Sequence, residues 1–94
     1  MTYELMFQPE ADMVLDELEA DPERRRVLLA IERTLDLLEE DPYDPRLGST
    51  AFHTEELGNV SATPARIDDW YVFWHRGPEP HVLDIVLIQQ LSTD

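Results

Sequence analysis

Residues 70–75, Trp-Tyr-Val-Phe-Trp-His, are aromatic or apolar on both sides of any extended backbone. Successive side chains of a strand point to opposite faces. Trp70, Val72 and Trp74 therefore share one face, and Tyr71, Phe73 and His75 the other. Such a strand belongs inside a sheet whose two faces are both covered. The rest of a 94-residue chain has to provide the covers. That length suits one domain with a real core and no metal or disulfide staple. Cysteine is absent, which excludes a disulfide framework, a thiolate nucleophile and a Cys-based metal site.

The elements around this strand can be read from local signals. Tyr3 to Phe7 alternate as a short half-buried strand. Pro9 suits the first turn of a helix, and Ala11, Val14, Leu15 and Leu18 continue it to about residue 20. Asp21-Pro22-Glu23 opens a second helix with a capping acid, a proline and an acid at the positive dipole end. Val27, Leu28, Ile31, Leu35 and Leu38 form its apolar stripe, and Asp41-Pro42 ends it. Residues 42–59, with Pro42, Pro45, Gly48 and Gly58, read as a long loop. Val60 to Ile67 reads as a strand that Pro64 demotes to an edge or a bulge. Val82 to Ile88 is a further apolar strand, broken only by Asp84. Asp68-Asp69 and Gly77-Pro78-Glu79-Pro80 supply the turns.

The predicted order is β-α-α-β-β-β over residues 1–94, a single α+β domain with a helical hairpin on one face of a small, mainly antiparallel sheet. Two helices cover one face only. The second face, with Tyr71, Phe73 and His75, needs the 42–59 loop, the C-terminal tail, a dimer mate or another protein, since exposed apolar patches mark interaction sites.

Charge bears on the class of partner. Twenty-one acidic residues face seven arginines and no lysine, for a formal net charge of −14. Nucleic acid is held mainly by Lys/Arg contacts to phosphate, so direct binding of DNA or RNA is disfavoured. Habitat, genome composition or solubility account for such acidity as readily as an acidic surface made for a basic partner. Thirteen of the acids, against four arginines, fall before residue 42. A helical face this negative is a solvated surface on the simpler reading, and a nucleic-acid mimic or acidic interaction module on the sharper one. With 43% hydrophobic residues, eight of the chain's residues aromatic, and neither a leader-like N-terminus nor a transmembrane-length apolar run, a globular cytoplasmic protein with no membrane partner is expected.

The chain resembles the RelE/ParE superfamily, the toxins of type II toxin–antitoxin pairs. The resemblance spans nearly the whole length. It rests on the opening strand followed by Phe7-Gln8-Pro9-Glu10-Ala11, the helical hairpin, the Asp-Pro loop, and the meander around Arg66-Ile67-Asp68-Asp69-Trp70-Tyr71-Val72-Phe73-Trp74. It implies a RelE/ParE-like fold and an antitoxin-like partner laid across the domain. In the family's ribosome-dependent ribonucleases, cations on the exposed sheet face activate the 2′-hydroxyl and stabilise charge on phosphate. Here the alternation on the second meander strand becomes Ala62, Pro64 and Arg66. The arginine of the central strand becomes Tyr71, and the basic pair ending the last strand becomes Gln89-Gln90. The resemblance thus implies the fold with most of its catalytic cations missing. Gyrase inhibition, as in ParE-like members, draws no support from the charge, and ribosome or gyrase would be targets only of an active toxin.

Candidate site residues follow. Arg66, His75, Arg76 and His81, near Tyr71, would form a minimal ribonuclease site of a histidine acid/base with arginines for phosphate, giving an mRNA endonuclease. The simpler reading makes Tyr71, Phe73 and His75 a partner-binding surface, covered by an antitoxin-like protein or a homodimer mate, and leans against an enzyme. His53, His75 and His81 with Glu55 or Asp84 match no compact ligand spacing, so neither a metal nor another cofactor is expected. Arg24-Arg25-Arg26 is too short for a basic patch and reads as charge balance beside Asp16, Glu17 and Glu19. Trp70 and Trp74 read as core.

Overall fold

The computed structural model describes residues 2–56 and 58–91. Strand β1 (Glu4–Phe7) leads into helix α1 (Pro9–Ala20), a short 3-10 turn (Pro22–Arg24) and helix α2 (Arg25–Glu40). A second 3-10 turn (Pro45–Leu47) precedes β2 (Thr50–Thr54), β3 (Gly58–Pro64), β4 (Trp70–Arg76) and β5 (Val82–Gln90). The sheet order is β1-β5-β4-β3-β2, with β1 parallel to β5 and every other pair antiparallel. The α+β reading, a helical hairpin against a mainly antiparallel sheet, is the architecture found.

The helix boundaries follow from local chemistry. Pro9 occupies the first turn of α1, with Glu10 and Asp12 at its positive dipole end. Asp21 accepts from the Glu23 amide at 3.0 Å and initiates the turn into α2. Asp41 ends α2 by donating its amide to Leu37 O at 3.0 Å, while its side chain accepts from the Tyr43 amide. The predicted stripe of α2 is the buried one: Val27, Leu28, Ile31, Leu35 and Leu38. It packs with Ala11 and Leu18 of α1 onto Trp70, Val72 and Trp74 of β4 and Leu83, Ile85 and Ile88 of β5. Each fully buried Leu or Ile stabilises the fold by about 1.5–3 kcal/mol relative to exposure.

Three features differ from the sequence reading. The 42–59 loop contains strand β2, which Phe52 alone marks as apolar. The strand is held by the backbone ladder from Thr50 opposite Ala62 to Thr54 opposite Gly58, and its side chains are mostly exposed. With β2 at the edge, β3 is an interior strand, not an edge or a bulge. Pro64 is tolerated because it is the last residue of β3. The Ala65 amide bonds Trp70 O, so the N–H that proline lacks at 64 would point the other way, beyond the end of β2. The bulge lies in β5 instead: Phe73 pairs with Leu87 but Trp74 with Ile85, which leaves Val86 as the extra residue.

The 42–49 segment also fails to shield the second face. It packs on the helix side, where Tyr43 lies edge-on to Trp74 at 6.1 Å and to Tyr3 at 6.4 Å. Thr63 ties it down there: its hydroxyl contacts Ser49 Oγ at 2.6 Å and accepts from Trp74 Nε1 at 2.9 Å. The tail considered as an alternative cover lies, after Leu91, outside the described residues.

Candidate functional site: the open face of the sheet

The face away from the helices is built in cross-strand rows. Pro64, Tyr71 and Gln89 are neighbours in one row, and Thr50, Ala62, Phe73 and Leu87 in the next. A third row places His75 opposite Asp84 and Asp84 opposite Met6. Phe73 is the hub, with Phe52 edge-on at 6.0 Å and Tyr71 tilted at 6.4 Å. Such aromatic pairs add about 0.5–1.5 kcal/mol each beyond their burial. Tyr71, Phe73 and Leu87 are half-buried, while Phe52 and Met6 are 40% and 50% exposed. The helix face of β4 is buried throughout, so the two faces differ in cover rather than in composition.

At the far end of this face His75 Nδ1 donates to Arg76 O at 2.9 Å. The carbonyl can only accept, so this bond places the ring proton on Nδ1 and leaves Nε2 as the neutral ring's acceptor. Asp84 Oδ2 lies 3.7 Å from the same Nδ1, within reach of a protonated ring. Asp84 is the one acid of β5. A cleft of about 460 Å³ adjoins His75, floored by Val86 and Leu87 and walled by Glu10 and Glu56, with no cation in its lining.

The structure does not gather the candidate catalytic residues into one cluster. His75, Arg76 and His81 lie at the β4–β5 end. His81 is exposed and sits 3.6 Å from Glu79, and Arg76 is exposed at the strand terminus. Arg66 is at the opposite end of β4, a strand spanning roughly 20 Å at about 3.3 Å per residue. Its backbone φ of 61° breaks the two-residue alternation, so it does not follow Ala62 and Pro64 onto the open face. Its Nη2 instead donates to Arg46 O at 3.0 Å and Leu47 O at 3.5 Å. Trp70 and Trp74 are core, as read. Arg24 pairs with Asp21 at 3.6 Å. Among the described residues, no group of three or more His, Cys, Asp or Glu is placed to hold a metal ion.

The shifted titrations lie elsewhere. The Arg46 side chain, through hydrogen bonds of 2.7–3.1 Å, holds the Asp44 carboxyl below the ordinary aspartate range, and Asp44 raises Arg46 in turn. Sequence reasoning missed Phe52, Leu87, Met6, Glu10 and Glu56 as parts of the open face. Phe52 is a lone large apolar residue in its segment, with no alternating pattern around it to mark a strand. The two glutamates had no signal, because tertiary folding alone brings them beside His75.

A two-helix hairpin on one face of a five-stranded sheet with a parallel edge strand defines a RelE-like α+β domain. The chain is similar to the solved archaeal RelE–RelB complex from Pyrococcus horikoshii OT3, with a TM-score of 0.67, 14% sequence identity, and 96% of each chain covered. No family model matches the chain, and no curated protein does. No helix among the described residues is long and apolar enough to cross a membrane.

Proposed function

We propose that this chain is a toxin-like domain of a type II toxin–antitoxin family that acts mainly through protein binding, its nuclease chemistry degenerate. The observation that carries the reading is the open face itself. Ala62, Pro64, Tyr71 and Gln89 lie side by side, where the family resemblance calls for cations. The nearby cleft at His75 is walled by Glu10 and Glu56. A phosphodiester entering there meets carboxylates and no guanidinium, the reverse of what stabilises developing negative charge. The same face offers Tyr71, Phe73 and His75, with Phe52, Leu87 and Met6, as an aromatic and apolar surface. Such a surface suits a protein partner. The similar solved structure is a complex of RelE with RelB, which supports an antitoxin-like partner for this chain too.

The test joins activity to binding. Inducing the protein in cells should neither arrest growth nor cut mRNA, and the tagged chain should co-purify with a partner. The Tyr71→Asp/Phe73→Asp variant, shown folded by its melting curve, should release that partner. Growth arrest with cuts on translated codons, abolished by Arg66→Ala, would establish the endonuclease reading instead. Retention of the partner by the double variant would remove the open face from the proposal.

A further inference from the structure

Charge on this protein is sorted by surface. The groove between β1 and the helices is rimmed by Glu4, Glu19, Glu32, Asp36 and Glu39, with no arginine. On the opposite flank of α2 a cleft of about 310 Å³ is lined by Arg33, Arg46 and Arg66, with no carboxylate. Acids outnumber arginines twenty-one to seven in the chain, and this lining inverts the ratio, with Asp44, the partner of Arg46, lying outside it.

The cations are arranged for different duties. Arg46 is bound up with Asp44, to which its Nε and Nη2 donate. Arg66 is fixed but not neutralised. Its left-handed backbone, costly for a residue with a Cβ, turns the side chain toward the Pro45–Leu47 turn. The two carbonyl contacts use Nη2 only, which leaves Nε and Nη1 with donors to spare. Gly48 makes the room, since a Cβ there would come within 3.2 Å of Arg66 Nη2. The Arg33 side chain has no hydrogen bond or ion pair among the described residues. Between the cations the wall is apolar: Leu37 is 42% exposed, Ile67 half-buried and Leu47 buried.

We propose that this cleft binds a small organic oxyanion, a carboxylate or phosphate monoester on an apolar body. The oxyanion sits on the guanidinium groups of Arg33 and Arg66, and the body lies against Leu37, Leu47 and Ile67. Guanidinium is the donor set matched to both oxyanions: the Arg33 side chain offers paired N–H bonds, and Arg66 adds a single charge-assisted bond from Nε or Nη1. The net charge of −14 does not forbid this, because at physiological ionic strength charges separated by more than about 8 Å are largely screened. The local sign therefore decides. The site is independent of the toxin-like reading, and its failure leaves that reading untouched.

The test is calorimetric titration of the full chain with phenyl phosphate, phenylacetate, inorganic phosphate and benzyl alcohol, at about 0.15 M salt. Saturable binding of phenyl phosphate or phenylacetate is expected, and the stronger of the two identifies the oxyanion. Arg33→Gln should weaken it about tenfold or more, the usual scale for one charge-assisted hydrogen bond. Arg66→Gln should do the same. The Arg33 side chain makes no hydrogen bond or ion pair among the described residues, so its variant should melt with the parent protein, which separates lost binding from lost folding. The proposal falls if neither aromatic anion binds saturably or if Arg33→Gln binds as well as the parent. It also falls if inorganic phosphate or benzyl alcohol binds as tightly as the aromatic anions.

Discussion

Thr63→Val removes the buried hydroxyl that Trp74 and Ser49 share. Thr63 is fully buried, and its hydroxyl lies between Trp74 Nε1 at 2.9 Å and Ser49 Oγ at 2.6 Å. Valine keeps the branched shape but leaves the indole N–H, on a side chain 3% exposed, with no acceptor. An orphaned buried donor costs about 1–3 kcal/mol. Ser49 is exposed and regains a water partner, so it adds little. For a domain of this size 1 kcal/mol corresponds to about 4–8 °C in Tm, so the midpoint should fall by roughly 4–24 °C. Urea melts of four proteins complete the cycle: parent, Thr63→Val, Trp74→Phe and the double variant. Phenylalanine removes the donor, so Thr63→Val should cost less in that background, with a coupling of at least about 0.5 kcal/mol. Equal costs in both backgrounds, or no loss in the parent background, would refute the claim that the bond from Trp74 Nε1 to Thr63 stabilises the fold.

The faces of β4 should respond unequally to charge. Val72→Asp puts a carboxylate where nothing is exposed and should prevent folding, whereas Tyr71→Asp on the half-buried face should fold with a loss near 1 kcal/mol. Equal melting temperatures for the two variants would contradict the one-sided cover. Arg46 depresses the Asp44 pKa, so the linked stability is present above the unfolded-state value and disappears as pH falls through the lower folded value. Urea midpoints of the parent and Asp44→Asn should therefore converge toward acid, and a gap independent of pH would refute the link. The net charge of −14 predicts that salt, by screening self-repulsion, raises Tm between about 0.01 M and 1 M sodium chloride. A flat or falling profile would show that repulsion does not limit stability.

The helices were legible because proline and aspartate mark their ends and the apolar stripe of α2 is regular. Strands β4 and β5 were legible because they are apolar and long. β2 escaped because a backbone ladder, not a side-chain pattern, holds Thr50–Thr54 in the sheet. The interior position of β3 escaped with it: Pro64 argues for an edge only while nothing is known to lie beyond. The bulge at Val86 and the path of the 42–49 segment depend on contacts between distant residues, which no local window contains.

Arg66 best shows how a site reading by alternation fails. Counting by twos from Ala62 through Pro64, which sits beside Tyr71, puts it one row further along the same open face. Counting assumes that the strand continues, and a φ of 61° ends it. The guanidinium then donates to Arg46 O and lines the same cleft as Arg33. One backbone angle thus removes a cation from the open face and adds it to the cleft on the flank of α2. The open face is left without a cation at the Ala62, Pro64, Tyr71 and Gln89 positions. The flank gains a cation that the proposed oxyanion site uses. Position relative to the strand end, rather than residue type, decides which chemistry an arginine serves here.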